Sequence, residues 1–307
     1  MLIHNPRKSR QAEAGAGLGF ALRKLPRYGV AGLLIMLAGE VLLFAGASWI
    51  SQWFTPTMWT GYILFLDGVN LSRKGTSLLS KHPLEFAILA VISIASWEIF
   101  EGYNVLLKNW RYLNLPENML VRFIGYAWSF ATISPGMFLT YELLEDTLPG
   151  ENPERSPRLG DGLFYTLVVF GLACVVVPLL RPSTYMTPLV WIGWAFFLDP
   201  INQRLGERSF LSELFTGKPR STLIMFLAGF ICGILWEFWN YWAAAKWHYV
   251  FPMAQRWKIF EMPAPGYLGF LPFALECFAM YVTASWAIGR AGEWTSQIRN
   301  ERSPISR

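Results

Sequence analysis

The acidic side chains that fall inside long apolar runs are the residues of this sequence best placed to do chemistry. Glu98 and Glu101 lie three apart in WEIFEGY (97–103), and Glu237 and Asn240 lie three apart in WEFWNYW (236–242). On a helix, an i, i+3 spacing puts both members of each pair on one face. Glu276 stands near the middle of the last apolar run and Glu40 within the first, neither with a clear counterpart. An ionisable group in lipid costs roughly 2.5–3.5 kcal/mol on insertion scales, so each is a functional candidate. Close carboxyls in a low dielectric share a proton, because one charge raises the pKa of the other. They also hold a cation, or serve as general acid and base. Glu98, Glu237 and Glu276 are therefore the candidates for a catalytic role, and Glu98, Glu101, Glu237, Asn240 and Glu276 for ligand binding. The competing expectation is a neutral Glu hydrogen-bonded to an indole or a carbonyl, which fixes helix packing.

A second duplicated set is Asp67 with Asn70 and Asp199 with Asn202, again three apart. Arg73 and Arg204 follow within a turn. The plain reading is an Asp–Arg or Asp–backbone clasp at a membrane face; the sharper one is an inner gate or a headgroup pocket. Aromatic residues crowd the acidic pairs. Trp236, Trp239, Trp242 and Trp247 fall within twelve residues, and Trp97, Tyr103, Trp110 and Tyr112 match them in part. Such residues commonly form a belt at headgroup level. Beside carboxylates, Trp97, Trp236 and Trp239 would instead wall a site for a cationic or prenyl-like ligand through their ring quadrupoles. Loops 108–118 and 246–264 are expected to fold back over its mouth. No metal site is expected: His4, His82 and His248 form no pair at ligand spacing. Cys174, Cys232 and Cys277 lie in apolar runs and give no disulfide framework. No GxSxG, Walker loop or HExxH is present, so hydrolase, ATPase and metalloprotease readings have no support. The residues do not identify a cofactor.

The elements that must position these residues are apolar throughout. Charged residues make up 15% of the 307, against about 25% in a soluble globular chain, and 53% are hydrophobic. That excludes disorder, a coiled coil and an ordinary soluble enzyme. Runs near the length of about 20 residues that crosses a bilayer lie at 28–50, 53–70, 84–107, 119–144, 162–180, 184–201, 222–245 and 265–289. Lipid leaves backbone groups no partner outside their own segment, so these are helices. Ala45–Gly46–Ala47 imitates a signal-peptidase site, but the basic segment before it is long and the run is expected to be a retained first span. With the N-terminus inside, nineteen Lys and Arg fall on inner segments and seven on outer ones. That satisfies the positive-inside rule with both termini cytoplasmic, in a cell or inner membrane. Headgroup contact then accounts for the net charge of +5 without nucleic acid.

An internal repeat organises the eight runs. WTGYILFLDGVN (59–70) matches WIGWAFFLDPIN (191–202) at a constant offset of 132, WEIFEGY matches WEFWNYW, and NWRYLNLP (109–116) matches KWHYVFP (246–252) with a one-residue gap. The expected architecture is an all-α integral membrane protein of about eight transmembrane helices in two tandem, parallel four-helix repeats. Its parts are a basic tail (1–27), a first repeat (28–144), a linker (145–161), a second repeat (162–289) and a basic tail (290–307). An even helix count per half relates the halves by an axis along the membrane normal, so matched residues should face one another across a central cavity.

At Trp97–Glu98 and Trp236–Glu237, each followed soon by an aromatic, the sequence is similar to the membrane-embedded terpene cyclases over a handful of residues. That resemblance implies an intramembrane enzyme in which a Glu protonates an isoprenoid-like substrate. The residues themselves favour transport or binding of a small cationic or amphipathic molecule in a carboxylate- and Trp-lined cavity. A structural subunit of a larger membrane complex is the third expectation.

Overall fold

The computed structural model describes residues 24–153 and 155–289. The expected tails at 1–27 and 290–307 lie outside the described residues but for 24–27. In chain order the elements are α1 (Arg27–Phe44), α2 (Ser48–Gln52), α3 (Phe54–Lys74), α4 (Leu78–Lys81), α5 (Pro83–Leu107), β1 (Trp110–Leu113), α6 (Met119–Ala131) and α7 (Ile133–Thr147). There follow α8 (Asp161–Leu180), α9 (Thr187–Arg204), α10 (Phe210–Phe215), α11 (Arg220–Trp242), β2 (Lys246–Tyr249), β3 (Lys258–Ile259), β4 (Met262–Pro263) and α12 (Phe270–Ala287), the last entered through a 3₁₀ turn at Ala264–Gly269. The chain is predominantly helical. Five described segments are long and apolar enough to cross a membrane: Arg27–Phe44, Pro83–Leu107, Asp161–Leu180, Arg220–Trp242 and Ala264–Ala287. This is the character of a membrane-embedded protein.

The other three apolar runs are also helical, in a different form. Run 53–70 becomes α3, whose last turn carries Arg73 and Lys74. Run 184–201 begins as a 3₁₀ turn and continues as α9, which ends on Arg204. Run 119–144 is divided at Thr132, so α6 and α7 are separate helices. Pro135 lies in the first turn of α7, where a missing amide costs no helical bond.

Close packing follows from small residues. α1 lies against α3 where a Cβ on Gly32 would sit 2.5 Å from the Gly61 carbonyl oxygen, and α8 lies against α9 where a Cβ on Gly171 would sit 2.2 Å from the Phe197 nitrogen. Only glycine permits either approach. α7, α11 and α12 form the interior, with Met137, Phe138, Ala228, Cys232, Ala274 and Phe278 all 1% exposed or less.

Two features lie outside the all-helical expectation. β1 and β2 pair antiparallel, Trp110 opposite Tyr249, Arg111 opposite His248, Tyr112 opposite Trp247 and Leu113 opposite Lys246. β3 and β4 form a second, two-residue ladder. The aromatic and β-branched spacing of these short segments was hidden inside loops too brief for a strand signal. We call this end of the bundle the ribbon end.

At the opposite end, the expected linker 145–161 is no free tether. α7 takes up its first three residues, Leu159 is buried, and hydrogen bonds tie other parts of it to the bundle. Arg220 donates to the carbonyls of Leu148 (2.7 Å) and Pro149 (3.0 Å), and the Ser156 hydroxyl donates to Glu213 (2.9 Å). Buried Glu213 also accepts from the Arg208 guanidinium at 3.3 Å, which in turn donates to Ser221 at 2.8 Å.

Candidate functional site: an aromatic cavity with one unfilled carboxyl

Alternation along β1 and β2 sends Trp110, Tyr112, Trp247 and Tyr249 to one face of the ribbon, and all four line a cavity of about 500 Å³. That volume falls within the roughly 300–1,000 Å³ of small-molecule sites. Its walls are rich in aromatic residues. Trp97 of α5, Trp59 of α3, Trp191 of α9 and Trp236 of α11 line it together with Tyr126, Phe130, Phe270 and Phe273. Their rings form one network: Trp59 and Trp236 are 5.3 Å apart, Trp97 and Trp236 6.2 Å, Trp97 and Trp191 6.4 Å. Trp59 and Trp191, matched in sequence, thus border the same space.

Two carboxyls anchor the ribbon. Glu101 Oε1 accepts from the Tyr112 hydroxyl (2.5 Å), the Trp97 indole (2.9 Å) and the Trp110 indole (3.2 Å). Glu237 Oε1 accepts from the Tyr249 hydroxyl (2.9 Å) and the Trp247 indole (3.3 Å). One turn further along each helix an asparagine holds the strand backbone. Asn104 Oδ1 accepts from the amides of Asn109 and Trp110, and its amide donates to the Trp110 carbonyl. Asn240 does the same with the Trp247 amide and carbonyl. Burial, reinforced by the adjacent carboxyl, holds the Tyr112 and Tyr249 hydroxyls well above the ordinary tyrosine range, so both remain donors.

This geometry corrects the sequence matching of Glu98 with Glu237 and of Glu101 with Asn240. The residue that makes Glu237's contacts in the first half is Glu101, and the counterpart of Asn240 is Asn104. Glu98 is exposed and does not line the cavity. The WE dipeptide repeats three residues out of frame, nearly one helical turn. Asn104 is the functional neighbour that sequence reasoning missed; its signal was an Asn six residues before Trp110, as Asn240 stands seven before Trp247.

The two carboxyls also differ in their donors. Glu101 has three donors, the third being Trp97. The helical position that would match Trp97 beside Glu237 is Gly233, which has no side chain to give. Glu237 lines the cavity, is 0% exposed, and its Oε2 has no hydrogen-bond partner. Trp59 Nε1 and Thr55 Oγ1, also on the cavity wall, are likewise buried without a partner. Buried polar atoms without partners are rare and costly, about 1–3 kcal/mol each.

The remaining candidates fall elsewhere. Trp239 is buried against Trp59 (5.1 Å) and Tyr62 (6.0 Å) behind the wall. Glu276 is 0% exposed, accepts the Trp194 amide at 2.9 Å and lies one turn beyond Phe273, outside the cavity lining. Its Oε2 also lacks a partner. Asp67 and Asp199, both 0% exposed, are backbone clasps: Asp67 accepts from the Leu79 amide and the Tyr28 hydroxyl, Asp199 from the amides of Phe210 and Leu211 and from the Ser209 hydroxyl. Asn70 and Asn202 donate to the carbonyls of Leu139 (3.2 Å) and Ala279 (3.0 Å) in α7 and α12. The arginines pair with other partners, Arg73 with Asp146 at 2.6 Å and Arg204 with Asp161. Among the described residues no group of three His, Cys, Asp or Glu side chains is placed to hold a metal ion.

Over the ribbon, segment 250–263 contributes Phe251, Met253, Ala254 and Met262 to the cavity roof. Glu261 fastens it, accepting from Lys246 at 2.9 Å and facing His248 Nδ1 at 2.8 Å. Burial alone would raise the Glu261 carboxyl; the hydrogen bonds and charges of Lys246 and His248 outweigh it and hold the group below the usual carboxylate range.

Fold and site together define a helical, membrane-embedded protein with an aromatic-rich cavity on whose wall the buried Glu237 carboxyl is incompletely hydrogen-bonded. Comparison with family models, with curated proteins and with solved structures finds no match to this chain.

Proposed function

We propose that this protein binds, as the first step of transport, a small amphipathic molecule whose donor-bearing end, an ammonium above all, docks on Glu237. The observation that carries this reading is the buried, unfilled Glu237 Oε2 in an aromatic-lined cavity, on a carboxyl whose Oε1 has two donors where Glu101 Oε1 has three. An ammonium would add charge to that hydrogen bond and would meet the faces of Trp97, Trp236 and Trp247, where ring quadrupoles attract cations. In this reading the chain forms two tandem four-helix halves of the same orientation, with both termini on the cytoplasmic side of a cell membrane. Support for the two halves comes from the Asp67/Asp199 and Asn70/Asn202 clasps at an offset of 132 and from the ribbon centred on Arg111 and His248.

A second reading draws on the same carboxyl. A Glu surrounded by aromatic rings, with no paired cation in contact with it, is also placed to protonate an apolar alkene. The deciding experiment is comparative mass spectrometry of membrane and medium extracts from cells carrying the wild type, a deletion or Glu237→Gln. Binding and transport predict one amphiphile redistributed across the membrane in both mutant strains, with the list of species unchanged. A vanished product with its precursor accumulated would move the conclusion to the enzyme. A deletion phenotype absent from Glu237→Gln would remove Glu237 from function and leave the structural-subunit expectation.

A further inference from the structure

We infer that the ligand reaches Glu237 sideways from the bilayer, through a portal between α6 and Trp53, and that it is therefore a lipid-soluble amphiphile with a single apolar chain. This rests on the docking role of Glu237 proposed above and adds the ligand's class and route.

The wall at this point is one helix thick. α6 is 13 residues long. One side of it is lipid-like, with Leu120, Phe123 and Ile124 exposed by 69%, 59% and 57%, while Gly125, Tyr126 and Ser129 on its other side line the cavity. Thr132 ends the helix, its hydroxyl turned back to the Ser129 carbonyl at 2.7 Å, so α6 is not stiffened by continuation into α7.

Little holds α6 to the mouth of α3. One exposed hydrogen bond joins them, Trp128 Nε1 to Thr60 Oγ1 at 2.9 Å, and the Trp53 and Trp128 rings stack at 6.3 Å. Trp53 lies on bare backbone: a Cβ on Gly125 would meet its ring at 2.7 Å. A flat ring over a glycine slides without breaking a polar contact.

The roof facing the ribbon end is fastened differently. Glu261 ties it by an ion pair with Lys246 at 2.9 Å and a contact with His248 Nδ1 at 2.8 Å, the Tyr267 hydroxyl donates to the Ile259 carbonyl at 3.0 Å, and the Ala264 amide donates to the Trp257 carbonyl at 2.6 Å. The cavity is thus closed by several polar fastenings on the roof, and between α6 and α3 by stacked rings with the single exposed Trp128–Thr60 hydrogen bond.

The experiment uses full-length protein in phosphatidylcholine vesicles and two diazirine-bearing primary amines, one long-chain and one short-chain and water-soluble. Adducts are mapped by peptide mass spectrometry. The long-chain amine should label the Tyr126, Trp97 and Trp236 peptides at least tenfold faster, roughly what a few buried methylenes contribute to membrane partition. Trp53→Ala should raise that rate severalfold, whereas Glu261→Gln, which loosens the roof, should leave it unchanged. Equal labelling by the short-chain amine, or a rate that answers to Glu261→Gln and not to Trp53→Ala, would overturn the portal while leaving the Glu237 docking role standing. Unchanged cavity labelling in Glu237→Gln would instead overturn the docking role.

Discussion

Replacing Asp199 by Ala separates a clasp from a gate, and the structure supplies the magnitude. Asp199 is 0% exposed and accepts the amides of Phe210 and Leu211 at 3.0 and 2.9 Å. Both residues are buried, so neither amide can turn to water. A buried donor left without its acceptor costs about 1–3 kcal/mol, which makes the loss in Asp199→Ala roughly 2–6 kcal/mol. The buried Ser209 hydroxyl, which donates to Asp199, loses its acceptor as well, so this range is a lower bound. Asp67 gives the control. It accepts one amide, that of the half-buried Leu79, and the hydroxyl of half-buried Tyr28, which can rotate to another partner. Asp67→Ala should therefore cost about half as much, roughly 1–3 kcal/mol. The assay is thermal unfolding of purified protein in detergent, followed by tryptophan fluorescence, with the midpoint falling in the order wild type, Asp67→Ala, Asp199→Ala. An unshifted midpoint in Asp199→Ala, with ligand movement abolished, would refute the clasp and restore the gate.

Further predictions concern other parts of the bundle. Gly171→Ala forces a Cβ to 2.2 Å from the Phe197 nitrogen and should destabilise the α8–α9 pair by at least about 1–3 kcal/mol, the usual cost of overpacking, seen as a lower yield of folded protein and a lower midpoint. Tyr249→Phe leaves Glu237 Oε1 with the Trp247 indole alone and should weaken binding of the long-chain amine about tenfold, near 1.4 kcal/mol. Tyr112→Phe should not, since Glu101 keeps both indoles; equal losses in the two variants would contradict the assigned asymmetry. For pH, the Glu261 carboxyl is held below its unfolded value, so its fastening of the roof is fully present above the unfolded carboxylate pKa of about 4.3 and is lost as pH falls through the lower folded value. Amide exchange in 250–263, corrected for intrinsic rates, should rise only in acid; a rise on going from neutral to alkaline pH would go against it.

The sequence carried different parts of this molecule with different clarity. Apolar runs marked the helices well, because a bilayer demands length and hydropathy together. The Asp67/Asn70 and Asp199/Asn202 pairs were visible at one constant offset; the Asp contacts to the Leu79 and Phe210 amides are local, whereas the Asn contacts to α7 and α12 join distant parts of the chain. The carboxyl pairing was obscured. Residues three apart on a helix differ by about 60° in direction, enough to leave Glu98 exposed while Glu101 turns to the ribbon. Only the register of β1 on β2 decides which of them faces Glu237's counterpart donors, and that register joins residues more than 130 positions apart. The Arg208–Glu213–Ser156 contacts beneath the bundle were illegible for the same reason: a polar linker looks solvated until something folds over it.

The ribbon makes the two carboxyls one mechanical unit. The donors to Glu101 are Trp110 and Tyr112, the donors to Glu237 are Tyr249 and Trp247, and these stand opposite one another in a single two-strand ladder. A slip of one residue would turn the slipped strand's donors to the other face: from β2 it would take both donors from Glu237, whereas from β1 it would leave Glu101 the Trp97 indole. Both carboxyls are thus held through one two-strand ladder, Glu101 with a further donor, Trp97, on its own helix.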